Sequence, residues 1–344
     1  MAKRVFTHSE LSTYQDCPMK WWFKYDQRLD TPKPDNKLSF GRFFHDAIDV
    51  YYRTGNMIDA IIGFNNNCKD IIAIETDEER KEEIMKLDLL GVAMLNNYKN
   101  FAMANDDWKV VHSEITGKVP IKAPSGRDST VFEYSFRTDQ IIEWNDNWWI
   151  REYKTAKSIG QGYLDNLMLD EQISRYCLGC NRLFDRQISG VLYTILRKAV
   201  PRVPELLKKP PKGVEKALSQ DKRIDTTYQV YMAAIEQHGL NLADYEDILA
   251  LLEYKGNTFM VNEPIMRNPR EIAECESRLW ILCKTINTDP PIYKCPSEKC
   301  GWACQFRSLC VEDSEETRSM FIIREKYHPE VKEEGKEGKG KNDG

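Results

Sequence analysis

Asp139, Glu152 and Lys154 have the types and spacing for metal-assisted chemistry, and all three lie within residues 131–154, VFEYSFRTDQIIEWNDNWWIREYK. The stretch reads as two strands joined by a tight turn at Asn145-Asp146-Asn147, because aromatic and β-branched residues flank residues that tolerate unusual backbone angles. Side chains alternate along a strand, so Glu152 and Lys154 share a face with Ile150 while Arg151 and Tyr153 take the other. If Asn145 and Asp146 alone form the loop, Asp139 falls opposite Glu152, with Cβ atoms roughly 4.5–5.5 Å apart. A divalent cation removes the repulsion between two such carboxylates, and hard cations such as Mg²⁺ take oxygen ligands. Lys154 then sets a positive charge beside the metal, suited to a phosphate or an attacking water. The plainer reading is a solvated hairpin face, and a three-residue turn would shift the register by one and separate the pair.

A second set of reactive side chains is the cysteines, ten in 344 residues. Cys295, Cys300, Cys304 and Cys310 crowd near the end and Cys17 stands alone near the start. Cys68, Cys177, Cys180, Cys275 and Cys283 fall in amphipathic stretches, where buried structural thiols are usual. Thiolates spaced as in CGWACQFRSLC chelate a soft metal, either zinc or an iron–sulfur cluster. Zinc would take Cys295 as a local fourth ligand. A cluster would more naturally take Cys17, tying the N-terminal helix to the C-terminal end.

No apolar run approaches a membrane span, and Met1-Ala2-Lys3-Arg4 opens no secretory signal, so a soluble cytoplasmic protein is expected. The formal net charge of −5 argues against a histone-like coat on DNA and leaves room for a local basic groove.

The elements that must position these residues follow from the pattern around them. Thr7-His8-Ser9-Glu10 reads as a capping box opening a helix that ends at Cys17-Pro18, followed by an aromatic, basic helix at 20–25. Residues 38–52 read as a helix with Phe40, Phe44, Ala47, Ile48 and Tyr51 on its apolar face and His45 within it. Further helix is expected over 55–105, a first strand over 110–119, then the hairpin. A helix over 163–184 places Gln172 and Tyr176 on one face, and an apolar strand follows at 190–196. Residues 201–222 are rich in proline and lysine and read as an exposed arm, with Lys208, Lys209 and Lys212 available to a phosphate backbone. Helices at 226–237, 242–253 and 269–286 and a strand at 258–263 complete the order, which suits a mixed α/β sheet with helices on its faces. The expected organisation is one domain over 1–323: a helical region at about 7–105, a core at about 108–200, an insertion at about 201–288 and the cysteine-rich end at 289–312. Residues 324–344 are expected to be a disordered charged tail.

In this order the chain resembles the PD-(D/E)xK nuclease superfamily, in particular its RecB-like and Cas4-like iron–sulfur branch, which includes phage versions. The resemblance spans about residues 9–310. Ser9-Glu-Leu11-Ser-Thr-Tyr14-Gln-Asp-Cys17-Pro18 looks like the setting of the first cluster cysteine, and Gly41-Arg-Phe-Phe-His45 is similar to the GxxxH motif. Asp139 and Glu152-Tyr-Lys154 look like the D and (D/E)xK motifs, Gln172-Ile-Ser-Arg-Tyr176 like QxxxY, and Cys300, Cys304 and Cys310 like the terminal cysteine group. Between its second and third cysteines the branch usually has two residues; here there are three, with Cys295 nearby as a further thiol.

The resemblance implies a restriction-endonuclease-like fold and metal-dependent hydrolysis of DNA phosphodiesters. Asp139 and Glu152 would bind Mg²⁺ or Mn²⁺, with His45 supplying nitrogen, and Lys154 would act on the water or the phosphate. Gln172 and Tyr176 would line the DNA channel. A [4Fe–4S] cluster would sit at Cys17, Cys300, Cys304 and Cys310. The substrate would be single-stranded DNA or DNA with free ends. No GxxxxGK[ST] motif is present, so unwinding would fall to a helicase or another recombination or replication partner. The competing readings are a non-catalytic DNA-binding adaptor of the same fold and a zinc-binding interaction protein.

Overall fold

Asn145 and Asp146 set the register of the central hairpin in the computed structural model, which describes residues 3–32 and 36–325. Both take positive φ, 49° and 58°, the mirror-image turn whose twist matches that of the flanking strands. Trp144 therefore pairs with Asn147, and the ladder runs back to Gln140 against Arg151. One step further brings Asp139 to Glu152.

In chain order the elements begin with β1 (Arg4–Thr7), α1 (His8–Asp16), α2 (Pro18–Trp21), a π-helical turn (Trp22–Asp26) and β2 (Leu29–Asp30). Next come α3 (Asn36–Thr54), α4 (Met57–Ile74), α5 (Glu78–Asn105), β3 (Lys109–Lys122), β4 (Asp128–Trp144) and β5 (Asn147–Ala156). Then follow α6 (Gln161–Met168), α7 (Glu171–Phe184), β6 (Ile188–Arg197), α8 (Tyr228–Gln237), α9 (Glu246–Lys255), β7 (Met260–Met266) and α10 (Pro269–Thr288). The short α11 (Lys299–Trp302), α12 (Arg307–Val311), α13 (Glu315–Ser319) and β8 (Ile322–Ile323) close the described chain.

The main sheet is mixed, ordered β1-β4-β5-β6-β7, with β3 along the other edge of β4. On one edge the long β4 accepts two partners in succession. Parallel β1 covers Phe132 to Ser135, and antiparallel β5 covers Gln140 to Trp144. Their C-terminal ends point at each other and, among the described residues, leave 136–139 without a strand partner on that edge. Beyond the gap β5 runs on beside β6, with Glu152 against Tyr193 and Lys154 against Ile195, while β1 turns at once into α1. Diverging strands of this kind are where open sheets generally offer room for a ligand.

Alternation along β5 divides the core. Ile150 joins Phe6, Leu11, Ile173 and Leu279 under α1, α7 and α10, whereas Tyr153 joins Phe44, Phe64, Leu95 and Tyr98 under α3, α4 and α5. The faces expected for β5 are those observed. On the second face Arg151 is fully buried: it donates to Tyr98 Oη (2.9 Å), Asp106 Oδ1 (3.3 Å) and Thr194 Oγ1 (3.3 Å) and lies 4.3 Å from the Trp108 ring centroid. Arg151→Ala strands Asp106 with little access to water, so the fold should lose about 3–5 kcal/mol, read as a lower denaturant midpoint.

Several boundaries differ from the sequence expectation. The strand at β3 is not the first, because RVFT forms β1 by pairing with β4. The helix expected over 55–105 is two, broken where Asp77 caps α5 by accepting from Glu79 N and Arg80 N. The helix expected over 163–184 is likewise two, with Asp170 capping α7 through Gln172 N. The 201–222 arm is tied down by an antiparallel bridge between Leu206 and Leu218, and Leu218 is buried in a small core with Tyr231, Ile235 and Tyr245. Arg324, assigned by sequence to the charged tail, is buried: its N–H donates to Arg28 O (2.8 Å), and its guanidinium donates to Lys24 O and lies 5.4 Å from the Tyr25 ring centroid. The remainder of the tail, 326–344, and residues 33–35 of the proline-containing loop lie outside the described residues.

Candidate active site

The gap on β4 opens into a cavity of about 340 Å³. β1 and α1 bring Thr7, His8 and Ser9 to it; α3 brings Gly41, Arg42, His45 and Asp46; β4 and β5 bring Asp139, Glu152 and Lys154; α7 brings Gln172 and Tyr176. The defining positions of the D, ExK, GxxxH and QxxxY motifs named from sequence thus meet in one place.

The two carboxylates occupy the end of the β4–β5 ladder and take over its amides. Asp139 N–H donates to Glu152 Oε1 (3.2 Å), and Tyr153 N–H donates to Asp139 Oδ2 (2.9 Å). His45 holds Asp139 from the α3 side, with Nδ1 3.2 Å from Oδ2. A carboxylate only accepts, so Nδ1 is the donor there, and in the neutral ring Nε2 is the nitrogen left to meet a cation.

Lys154 Nζ donates to Gln172 Oε1 (3.1 Å), and Gln172 Nε2 donates to Tyr176 Oη (2.8 Å). The four-residue spacing seen in sequence does put Gln172 and Tyr176 on one face. Their polar atoms, however, are engaged with each other and with Lys154, which makes them a brace for the lysine within the cavity wall.

Burial and the neighbouring Asp139 charge push Glu152 well above the ordinary carboxylate range. Burial also draws Asp139 upward, but the His45 charge and hydrogen bond, the Tyr153 amide and Lys154 outweigh it and hold Asp139 below its ordinary value. One carboxylate is thus kept charged and the other favours its proton, which is how a close acidic pair behaves until a cation replaces that proton. Asp139 and Glu152 are an oxygen donor set suited to a hard divalent ion, with one histidine nitrogen beside them. As the side chains stand, no three His, Cys, Asp or Glu among the described residues converge closely enough to hold one metal ion.

The five cysteines singled out by sequence line a second cavity, of about 260 Å³: Cys17, Cys295, Cys300, Cys304 and Cys310. Cys17 reaches it from the junction of α1 and α2, in extended backbone at φ −162°. Its thiol is a hydrogen-bonding neighbour of Cys295, whose pKa is raised by burial and by Cys17. The other five cysteines are buried. The two ends of the described chain also meet here through apolar contacts and a strand pair. Phe23 and Leu29 pack on Phe306 and Leu309, and β2 pairs with β8.

Lys208, Lys209 and Lys212 are exposed and lie outside both cavities. Sequence reasoning did not find Arg42 or Arg137 in the cavity wall, nor His8, which it used only as part of a helix start. The basic side chains carry no spacing signal of their own. A small side cleft adds Asp49 and Glu114 next to His45 and Asp139.

A mixed sheet flanked by helices, with an acidic pair and a lysine at a break in strand pairing, is the architecture of a restriction-endonuclease-like enzyme. The chain belongs to the PD-(D/E)XK nuclease superfamily, whose sequence model matches residues 5–311. Proteins of this superfamily are typically nucleases and generally use divalent ions such as Mg²⁺. No curated protein matches the chain. No helix among the described residues is long and apolar enough to cross a membrane.

Proposed function

We propose that the protein is a Mg²⁺- or Mn²⁺-dependent exodeoxyribonuclease of the RecB-like, Cas4-like branch, acting on single strands or free DNA ends in recombination, repair or replication. The observation that carries this reading is the convergence of Asp139, Glu152 and Lys154 in the single cavity opened by the gap on β4. A divalent cation held by Asp139 and Glu152 supplies activation of a water and stabilisation of charge on the phosphate. Lys154, steadied by Gln172, presents its ammonium to that phosphate or water, and Arg42 and Arg137 add positive charge to the wall. His45 orients Asp139. An adaptor that had given up catalysis would have no need of a braced lysine beside two buried acids.

End-labelled linear DNA and covalently closed circular DNA, single- and double-stranded, test the exonuclease reading. Linear DNA should be degraded from its ends and circles should survive. Cleavage of circles at a comparable rate makes the protein an endonuclease.

The exposed lysines of the arm are proposed to meet DNA phosphates at the periphery. Replacing Lys208, Lys209 and Lys212 by alanine should flatten the slope of log K against log[salt] by up to about 3, at roughly 0.9 for each phosphate no longer neutralised, and leave kcat unchanged. An unaltered slope returns them to a solubilising role.

The cysteine cavity is proposed to hold a structural [4Fe–4S] cluster on Cys17, Cys300, Cys304 and Cys310, with Cys295 the alternative ligand and Zn²⁺ the alternative metal. A single zinc ion draws four thiolates to about 2.3 Å of one point, whereas a cubane spreads them over its corners. All five thiols line one cavity, so Cys17 is within the set of ligands a cluster would draw on.

A further inference from the structure

His8 is fixed in the cavity by a partner that leaves its protonation unambiguous. Arg175 is 2 % exposed; its Nη2 donates to Gln15 Oε1 (2.7 Å) and Glu171 Oε2 (2.5 Å), and its Nη1 stands 3.1 Å from His8 Nδ1. A guanidinium can only donate, so Nδ1 accepts and the ring's proton is on Nε2. Burial, then the Arg175 and Lys154 charges, push His8 down to about 3, so the ring stays neutral at any working pH. Nε2 makes no hydrogen bond to a described residue, and the ring lines the same cavity as Asp139, Glu152 and Lys154. Its place follows from topology: β1 ends at the gap on β4, so the first residue of α1 is delivered beside the acidic pair.

We propose that His8 is a phosphate-binding residue, its Nε2–H donating to a non-bridging oxygen of the backbone phosphate next to the one being cleaved. Phosphodiester oxygens only accept, which matches a ring that here only donates on its open side. With Nδ1 committed to the Arg175 guanidinium and the proton on Nε2, the ring has no free acceptor with which to take up a proton. Its contribution is to hold the strand, equally before and during the chemical step, and therefore falls on KM. The donor is neutral, so binding through it releases no counterion and leaves the salt slope alone, unlike binding through a lysine or arginine.

This inference rests on the reading of the protein as a DNA nuclease, and the test separates the two. Wild type, His8→Phe and His8→Gln are compared on a labelled single strand carrying one neutral methylphosphonate at successive positions, with Mn²⁺, and their thermal melting is recorded. On unmodified DNA, His8→Phe should raise KM roughly tenfold or more, the weight of one hydrogen bond to a charged group, with kcat and salt slope near wild type. His8→Gln, which keeps an N–H at similar reach, should recover most of the loss. One methylphosphonate position should weaken wild type and leave His8→Phe no weaker than it already is. Wild type that fails to cleave the unmodified strand contradicts the nuclease reading itself. Wild-type cleavage with the same methylphosphonate profile in all three proteins, a loss confined to kcat, or a failure of both variants to fold overturns the His8 assignment alone.

Discussion

Glu152→Gln and Asp139→Asn should each lose DNA cleavage by roughly 10³-fold or more while folding normally. The amide versions are the informative ones. Asp139→Asn keeps an oxygen for the Tyr153 amide, and Glu152→Gln keeps one for the Asp139 amide, so only the charge that would hold a cation is lost. Alanine at either position is a poorer test than the sequence suggests. Two facing carboxylates repel, so removing one relieves that repulsion. In the structure each carboxylate also satisfies a backbone amide at the end of the ladder, and an orphaned amide costs about 1–3 kcal/mol. Lys154→Ala should lower kcat strongly and spare metal affinity, since an ammonium does not ligate a cation. Metal binding followed by calorimetry alongside cleavage kinetics separates these outcomes. Wild-type-like cleavage by either amide variant removes Asp139 or Glu152 from the site.

Cys17→Ala should take iron from about four per chain to near zero in anaerobically purified protein and abolish its brown colour, whereas Cys295→Ala should keep both. Cys17 is the discriminating residue because it comes from the far end of the chain yet lines the same cavity. If zinc is the metal and Cys295 the ligand, the protein is colourless and iron-free, Cys295→Ala loses the zinc and Cys17→Ala keeps it. Cys17→Ala should loosen the C-terminal end without unfolding the domain. The Phe23, Leu29, Phe306 and Leu309 cluster and the β2–β8 pair also join the two ends. Metal analysis, the visible spectrum and thermal melting read the three effects.

The hairpin was legible because its evidence is local. Asn145-Asp146 favours the turn and alternation assigns the faces, and the count back to Asp139 follows once the structure fixes the loop at two residues rather than three. The gap on β4 was not legible. It exists only because RVFT, four residues with no distinctive alternation, pairs with Phe132 to Ser135 more than a hundred residues away. Without β1 nothing in the sequence brings His8 to the acidic pair, and Thr7-His8-Ser9-Glu10 reads as no more than a helix start. The start itself is real: Thr7 Oγ1 accepts from Glu10 N, while the Glu10 carboxylate also meets Arg4 and Trp21 Nε1. Gln172 and Tyr176 show the same limit. Spacing gives their common face, but only the fold shows that Lys154 is what they hold. For the cysteines, spacing picks out the three terminal thiols, and both Cys17 and Cys295 reach the cavity, so proximity alone does not choose between them.

The most direct test of the central claim is cleavage of end-labelled linear DNA by metal-stripped wild-type protein, titrated with Mg²⁺ and with Mn²⁺, next to Glu152→Gln. Asp139, Glu152 and Lys154 acting as a metal-dependent phosphodiesterase centre predicts no cleavage without added ion, saturable cleavage with either, its loss on chelation, and none from the variant at any ion concentration. Cleavage that persists in the stripped wild type, or that Glu152→Gln retains at saturating metal, contradicts it.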